Sequence, residues 1–259
     1  MTRLLSALVL LPIVIGTIWY LPPVATLLLA ALVAGGAAAE YVRLAGRMGA
    51  EVPATLGVVS AVVVCVSAPF DAVVVTLAAT MIAVGATALI AGPPRAELFR
   101  SITASLVPAI YIGLPCGLLA AVRYEPGREA LLLLLANVMV SDTAQYYGGR
   151  AFGKRLLAPA ISPKKTVEGF ISGLVAAAII TGALGSLWRT SVAPVVWAIV
   201  GVTIAALGVA GDLFESVLKR AADTKDASGL IPGHGGMLDR VDSLLFAAPV
   251  YYVFVIYVA

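Results

Sequence analysis

Charged residues are scarce in this chain of 259 residues. Asp, Glu, Lys and Arg together make up 12% of the sequence, whereas 61% of it is hydrophobic. Soluble domains carry about 25% charged residues. So few polar side chains could not cover the surface of a water-soluble domain of this size. The composition therefore excludes an ordinary soluble globular domain and indicates an integral membrane protein.

Histidine and cysteine are also rare, with one His and two Cys. His234 has no second His or Cys near it in the sequence, which argues against a zinc site. Cys65 and Cys116 lie inside apolar runs. Buried free thiols are more common there than a disulfide, so we expect both to be small core residues.

Apolar runs of membrane-spanning length recur along the whole chain. The first is longer than the core of a signal peptide and lacks an A-x-A cleavage pattern, so it is predicted to be a membrane helix. A helix crosses the hydrocarbon in about 20 residues, whereas strands would leave backbone groups unpaired in lipid. We predict an all-α polytopic membrane protein with about nine transmembrane helices, at 4–21, 23–40, 54–70, 72–92, 102–122, 130–148, 167–187, 194–215 and 240–258.

Lys and Arg are distributed unevenly among the predicted loops. If the N-terminus is cytoplasmic, only Arg123, Arg128 and Arg189 of the 17 Lys and Arg residues fall on the outside. This asymmetry agrees with the positive-inside rule and places the C-terminus on the opposite side. Residues 1–125 are predicted to form a helical scaffold with oligomer contacts. Residues 126–259 are predicted to be the catalytic half, with cytoplasmic loops at 148–167 and 216–240.

Acidic residues concentrate near the C-terminus, where six of the fourteen lie between Asp212 and Asp242. If the helix that holds Asp212 extends to Asp223, one helical face carries Asp212, Glu215 or Ser216, Lys219 and Asp223. Asp239 is predicted to begin the last helix. Two helix ends that meet at the cytoplasmic surface would bring Asp212 and Asp239 around a hard cation such as Mg²⁺, which binds carboxylates and phosphates. An ordinary solvated face is the alternative.

Two further features stand beside these acids. Asp142 lies near the cytoplasmic end of the sixth predicted helix, and an acid in a membrane helix usually faces a polar cavity. The cost of such an acid falls near the interface, so a side chain that snorkels to the interface is the alternative. The sequence GLIPGHGG, residues 229–236, holds four glycines. Such a loop can bring backbone N–H groups close to an anion, although a plain reverse turn has the same composition.

The loop after the sixth predicted helix is also polar. Gly148 to Lys154 fits G-x-x-x-x-G-K, but Arg155 replaces the Ser or Thr and an apolar helix precedes it, so a P-loop is excluded. The sequence Ser162-Pro163-Lys164-Lys165 predicts a helix start, with Ser as N-cap and Pro at the first position. Two lysines in a first turn oppose the helix dipole unless they face phosphate. Anionic lipid head groups are the alternative partner.

The run SVLKRAADTKDASGLIPGHGGMLDRVD, from Ser216 to Asp242, resembles the signature of the phosphatidate cytidylyltransferases, also called CDP-diacylglycerol synthases. SPKKTVEG, from Ser162 to Gly169, is similar to a second feature of that family. The resemblance implies an integral membrane nucleotidyltransferase of phospholipid biosynthesis that joins CTP and phosphatidic acid to give CDP-diacylglycerol and pyrophosphate. It further implies nine helices, Mg²⁺ with room for a second cation such as K⁺, a homodimer, no nucleic-acid partner, and an active site on the cytoplasmic face of the inner membrane.

The resemblance also implies roles for particular residues. Asp212 and Asp239 are the expected metal ligands, and with Lys219 and Asp142 they form the expected catalytic set. The residues expected to bind substrate, or to shape the loop that does so, are Ser216, Arg220, Lys225, Asp226, His234, Gly235, Gly236, Arg240, Lys164 and Lys165. His234 is expected to donate a hydrogen bond or constrain the loop rather than act as a base.

Two other functions are compatible with parts of this pattern. A cation-coupled transporter would use Asp142 and Asp212 as ion relays, but it would bury its charges near mid-membrane in paired broken helices. Another CTP-dependent lipid enzyme, such as a dolichol kinase or an archaeal CDP-lipid synthase, would share polar loops of this kind. The acids here cluster at one membrane face and continue into a loop, which favours an enzyme.

Overall fold

The computed structural model describes residues 2–91, 96–228 and 235–259, with the side chains of residues 2–9 left out. Most of these residues are helical. The helices are α1 (Thr2–Tyr20), α2 (Pro23–Arg47), α3 (Ala54–Ser67), α4 (Val73–Ile90), α5 (Ala96–Val107), α6 (Leu114–Tyr124), α7 (Arg128–Phe152), α8 (Val167–Trp188), α9 (Pro194–Ala221) and α10 (Leu238–Tyr257).

Helices α5 and α6 form one helical stretch, Ala96–Tyr124, with a π-helical segment at Pro108–Gly113 between them. Pro108 has no N–H group, so it cannot make the usual backbone bond one turn back, and the regular α-helical hydrogen bonding is interrupted at this point. Counted in this way, the described residues contain nine helical rods. Each of the nine predicted apolar segments falls on one of these rods.

Six of the rods are long and apolar enough to cross a membrane: α2, α4, α5 with α6, α8, α9 and α10. The stretches Leu10–Tyr20 and Ala54–Phe70 are apolar but shorter. Many large hydrophobic side chains on these helices are exposed, among them Leu89 at 87% and Ile90 at 86%. Such outward apolar surface is expected where lipid replaces water as the solvent. The predicted all-α membrane class is therefore confirmed.

The first compact unit comprises Met1–Tyr124 and Leu218–Val241. Its centre is a close crossing of α3 with the π-helical segment and α6. A Cβ atom on Gly113 would collide with the carbonyl oxygen of Ala61, and one on Gly117 would lie 2.6 Å from that of Cys65. This G-x-x-x-G spacing lets two backbones approach, which is how membrane helices pack without a hydrophobic driving force. Cys65 and Cys116 are both buried and free, as predicted.

The second compact unit comprises Glu125–Val217 and Asp242–Ala259. Asn137 of α7 is fully buried, and its Nδ2 donates to Thr181 Oγ1 at 2.6 Å and to the Gly201 carbonyl at 3.2 Å. These two bonds join α7, α8 and α9 through polar groups. Trp197 is also fully buried and packs edge-on against Phe254 of α10 at 5.0 Å between ring centroids.

A short hairpin connects α7 to α8, and it corrects one sequence prediction. Strand β1 (Leu156–Ala158) pairs antiparallel with β2 (Ser162–Thr166). The predicted helix start at Ser162 is wrong, because α8 begins at Val167 and Thr166 is its N-cap, with Oγ1 accepting from the Gly169 N–H at 3.1 Å. Proline is compatible with an edge strand as well as with the first position of a helix. Here the pairing with β1 makes Pro163 part of a strand.

The end of α9 corrects a second prediction. The shared face of Asp212, Lys219 and Asp223 required the helix to extend to Asp223, but the helix ends at Ala221. Asp223 has a φ of 51°, the Thr224 N–H bonds the Lys219 carbonyl, and the Asp223 N–H bonds the Arg220 carbonyl. This is the Schellman arrangement, in which a left-handed residue closes the helix. Asp223 therefore does not continue the helical face that carries Asp212 and Lys219.

The crossing of α3 and α6 gives a stability prediction. Gly117→Ala should lower the midpoint of thermal unfolding in detergent by several degrees, because overpacking a tight contact costs about 1–3 kcal/mol. Gly85→Ala is the matched control, since a Cβ atom at Gly85 on α4 meets nothing within 4 Å. Ala favours a helix over Gly by about 1 kcal/mol, so this control should be neutral or stabilising. Equal shifts in the two variants would contradict the close approach at Gly117.

Candidate functional site

In the second unit, the hairpin places a lysine against an acid of α9. Lys165 Nζ lies 2.6 Å from Asp212 Oδ2, and the two side chains are 21% and 35% exposed. Ser216, one turn further along α9, has its Oγ 3.5 Å from Asp212 Oδ1. Because successive strand residues point to opposite sides, Lys164 is directed away from this pair, and it is exposed.

Asp142 of α7 belongs to the same cluster. The charges of Lys165 and Asp212 both act on its carboxylate. Gln145, one turn away, donates from Nε2 to Asp142 Oδ1 at 3.3 Å and to Ser141 Oγ at 3.1 Å. The structure thus brings together three of the predicted residues, two acids and a lysine, from α7, β2 and α9. A lysine beside two carboxylates is suited to holding either a phosphate or a hard cation.

Glu168 fixes the base of the hairpin, and although it lies within the stretch Ser162–Gly169, no role was predicted for it. Its Oε2 accepts the backbone N–H groups of Lys154 at 3.0 Å and Arg155 at 3.2 Å, and Arg155 Nε lies 3.3 Å from Oε1. Glu168 stands in the first turn of α8, where an acid is favoured by the helix dipole. An acid in the first turn of a helix is the sequence signal that could have identified Glu168. The contact holds the chain that leaves α7 against the start of α8.

In the first unit, Asp239 is the centre of a separate polar cluster. Lys219 Nζ of α9 lies 2.6 Å from Asp239 Oδ1, and the two side chains are 13% and 7% exposed. Asp239 Oδ2 accepts the backbone N–H groups of Ala227 at 3.1 Å and Gly236 at 2.7 Å. Asp239 lies in the first turn of α10, as predicted from the sequence. Burial strengthens such charge-assisted bonds, so this carboxylate is tightly held.

Two glycines of the predicted loop are described, one with a left-handed backbone and one packed against a carboxylate. Gly235 has a φ of 78°, which a glycine adopts without strain. A Cβ atom on Gly236 would collide with the carboxylate of Glu40 in α2. The loop was expected to bring N–H groups to an anion, and the Gly236 N–H does so, but toward the protein's own Asp239.

Glu40 is a second functional candidate that was not predicted from the sequence. Its side chain is fully buried, with 0% exposure. It accepts hydrogen bonds from Ser228 Oγ at 2.5 Å and from the backbone N–H groups of Met237 and Leu238 at 2.9 and 2.8 Å. An acid inside an apolar helix is itself a signal of function, and α2 contains one at this position.

The remaining predicted residues are either exposed or outside the described part of the chain. Arg220, Lys225, Asp226 and Arg240 are exposed. His234 lies outside the described residues. Asp212 belongs to the second unit and Asp239 to the first, so their pairing around a metal stays a prediction. Among the residues that the structure covers, no group of three or more His, Cys, Asp and Glu side chains is arranged to hold a metal ion.

Comparison with known proteins gives several matches. A phosphatidate cytidylyltransferase of Thermotoga maritima is 34% identical over 174 residues, which are 64% of this chain and 63% of that protein. A phosphatidate cytidylyltransferase of Haemophilus influenzae is 40% identical over 141 residues, 52% of this chain and 49% of its own length. The uncharacterized protein YnbB of Escherichia coli is 38% identical over 140 residues, 54% of this chain and 47% of that protein. The chain thus spans about half to two thirds of these relatives' lengths.

A family comparison covers more of the sequence. The sequence model of the cytidylyltransferase family matches residues 1–258, from the first helix through α10. The match includes both stretches that carried the resemblance, Ser162–Gly169 and Ser216–Asp242, so that resemblance is confirmed. The N-terminal helices also lie within the matched residues. The chain belongs to the cytidylyltransferase family.

Proposed function

We propose that the protein is a phosphatidate cytidylyltransferase, which converts CTP and phosphatidic acid to CDP-diacylglycerol and pyrophosphate. The observation that carries the proposal is the polar cluster of Lys219, Asp239 and Gly236, which lies within the family signature Ser216–Asp242. Relatives from Thermotoga maritima and Haemophilus influenzae bear this enzyme's name. Family membership and apolar helices further support an enzyme that works on a lipid at the membrane.

The proposed reaction is a nucleotidyl transfer. A phosphate oxygen of phosphatidic acid forms a bond to the α-phosphorus of CTP, and the bond from that phosphorus to the bridging oxygen of the β-phosphate breaks. Pyrophosphate leaves with the electron pair. Because the attacking oxygen is already an anion, no strong general base is needed. The protein's task is to position two anionic substrates and neutralise their charge.

Lys219 and Lys165 are the proposed phosphate-binding cations. Each is held by one carboxylate, Asp239 or Asp212, at 2.6 Å. An ammonium group has three donors, so one lysine can contact a carboxylate and a phosphate at the same time. The exposed cations Lys164, Arg220, Lys225 and Arg240 are proposed to attract the triphosphate and the lipid head group. Ser216, Asp226, His234, Gly235 and Gly236 complete the proposed substrate-binding set.

Asp212 and Asp239 are the proposed ligands of Mg²⁺. Their carboxylate oxygens are the hard donors that this ion prefers, and both acids stand beside lysines suited to phosphate. Bound Mg²⁺ would supply Lewis-acid neutralisation of the phosphate oxygens. Asp142 is proposed to orient Lys165, since its charge acts in the same cluster. A second cation such as K⁺ remains part of the proposal.

The number of membrane spans, the orientation and the oligomeric state are also part of the proposal. We infer nine spans, a cytoplasmic N-terminus, an active site that faces the cytoplasm, and a homodimer in the inner membrane. The asymmetric distribution of Lys and Arg supports the orientation. A transporter that uses Asp142 and Asp212 as ion relays has less support, because Lys165 already compensates Asp212 at 2.6 Å.

The first functional prediction concerns Asp239. Asp239→Asn should lower the rate of Mg²⁺-dependent CDP-diacylglycerol formation at least about 100-fold, because it removes a proposed metal ligand and the negative charge that lies 2.6 Å from Lys219 Nζ. The measurement is product formation by purified protein from CTP and phosphatidic acid in mixed micelles.

Asp223→Asn is the matched control for Asp239. Asp223 is exposed, and Asn tolerates its left-handed backbone, so this variant should keep the wild-type rate. An Asp239→Asn enzyme as active as this control would refute the assigned role. Wild-type protein that cytidylylates only another lipid phosphate, or none, would instead refute the proposed substrate.

The two hairpin lysines provide a second matched comparison. Lys165→Gln should reduce kcat about 10-fold or more, because a charged hydrogen bond contributes about 1.5–3 kcal/mol and Lys165 contacts Asp212. Lys164→Gln should change the rate only about two- to threefold, since an exposed charge is worth about 0–1 kcal/mol. Steady-state kinetics of both variants test whether Lys165→Gln lowers kcat more than Lys164→Gln does. Equal losses would contradict the strand geometry that separates the two side chains.

A further inference from the structure

Glu40 is far in sequence from every residue that it contacts in the signature. Ser228 lies 188 residues away, and Met237 and Leu238 lie 197 and 198 residues away. The carboxylate is nevertheless fully buried in α2. All three of these donors are uncharged, and all three belong to the chain that leads into α10. A buried acid is costly unless hydrogen bonds satisfy it, so these donors make its burial tolerable.

Two of those donors belong to the start of a helix. Leu238 is the first residue of α10 and Met237 precedes it, so their N–H groups are among those that a helix leaves unsatisfied. Glu40 accepts both, one with each carboxylate oxygen. A negative charge at this end is further favoured by the helix dipole. Glu40 therefore acts as the cap of α10, although it comes from a different helix.

Asp239 holds the same stretch from the other side. Its Oδ2 accepts the N–H groups of Ala227 and Gly236, which adjoin Ser228 and Met237, the partners of Glu40. At Gly236 the two acids meet: its N–H bonds Asp239, and its Cα faces the Glu40 carboxylate so closely that no Cβ would fit. A shift of the main chain at Gly236 would therefore move Asp239 with it.

We propose that Glu40 is a positioning residue, which fixes the main chain entering α10 so that Asp239 and Lys219 keep their paired geometry. Glu40 acts through the Ser228 hydroxyl and the backbone N–H groups of Met237 and Leu238, and it does not itself touch substrate. Its effect on catalysis rests on the proposed function, whereas its effect on the backbone can be measured without any substrate.

The structural test is hydrogen–deuterium exchange of the substrate-free protein, read by mass spectrometry. Glu40→Gln keeps the shape but replaces one accepting oxygen with an NH₂ group, which cannot accept an N–H donor. Exchange at Met237 and Leu238 should become about 10-fold faster, equivalent to about 1.4 kcal/mol. Glu97→Gln, at an exposed acid of α5, should leave this exchange unchanged. Unchanged exchange in Glu40→Gln, or faster exchange throughout α2, α3 and α6, would overturn the proposal.

The kinetic test separates positioning from a general loss of fold. Glu40→Gln should lower kcat about 10-fold, in proportion to the exchange effect, with the KM for CTP changed less than about twofold. Glu40→Asp, which restores a carboxylate one methylene shorter, should recover part of the rate. Faster exchange at Met237 with an unchanged kcat would overturn the positioning role.

A third variant covers the case in which Glu40→Gln does not fold. Ser228→Ala removes one donor and leaves the cap of α10 in place. It should accelerate exchange at Ala227 and Ser228 by about two- to fivefold, the effect of a hydrogen bond worth about 0.5–1 kcal/mol. No change there would overturn the proposal. Wild-type protein that makes no CDP-diacylglycerol would refute the proposed function, while the exchange results would still decide the role of Glu40.

Discussion

The carboxylate of Asp239 is the contact on which the polar segment of the first compact unit depends. It compensates the charge of Lys219 on α9 and accepts two backbone N–H groups from the segment that leads into α10. In so apolar a chain, each buried charge carries a desolvation cost that only pairing and hydrogen bonding offset. The Asp239 side chain, which is 7% exposed, thus holds Lys219 and the main chain at Ala227 and Gly236 next to the beginning of α10. These contacts all lie within the first compact unit.

A carboxylate that accepts backbone N–H groups also occurs at two other places where an apolar helix meets polar chain. Glu168 accepts the N–H groups of Lys154 and Arg155 and anchors the hairpin. Glu40 accepts those of Met237 and Leu238 and caps α10. A carboxylate can accept several hydrogen bonds, so one acid can satisfy several backbone donors near the low-dielectric membrane. With only 14 acidic residues in the chain, each of these three does the work of several neutral side chains.

The sequence predicted those features that depend on local pattern. Apolar runs placed the helices, and the end of one run placed Asp239 at the start of the last helix. The predicted helix start at Ser162 was wrong. A Ser followed by Pro is compatible both with the start of a helix and with an edge strand, and only the pairing with β1 distinguishes the two. Asp223 was misassigned because helical spacing alone does not reveal a left-handed closing residue. Glu40 was missed because its partners lie 188 to 198 residues away, where no local pattern connects them.

The two proposed metal ligands are not equivalent, and the difference bears on how a cation would enter. Asp212 has a side chain 35% exposed, a lysine at 2.6 Å and a weaker contact to Ser216, so it can turn toward a cation at the expense of one ion pair. Asp239 is 7% exposed and already accepts from Lys219 and two backbone N–H groups. A cation that draws on the Oδ2 of Asp239 competes with the bonds that order the segment before α10. Metal binding at Asp239, as proposed, would therefore be coupled to the order of that segment, whereas Asp212 would bind without moving its helix.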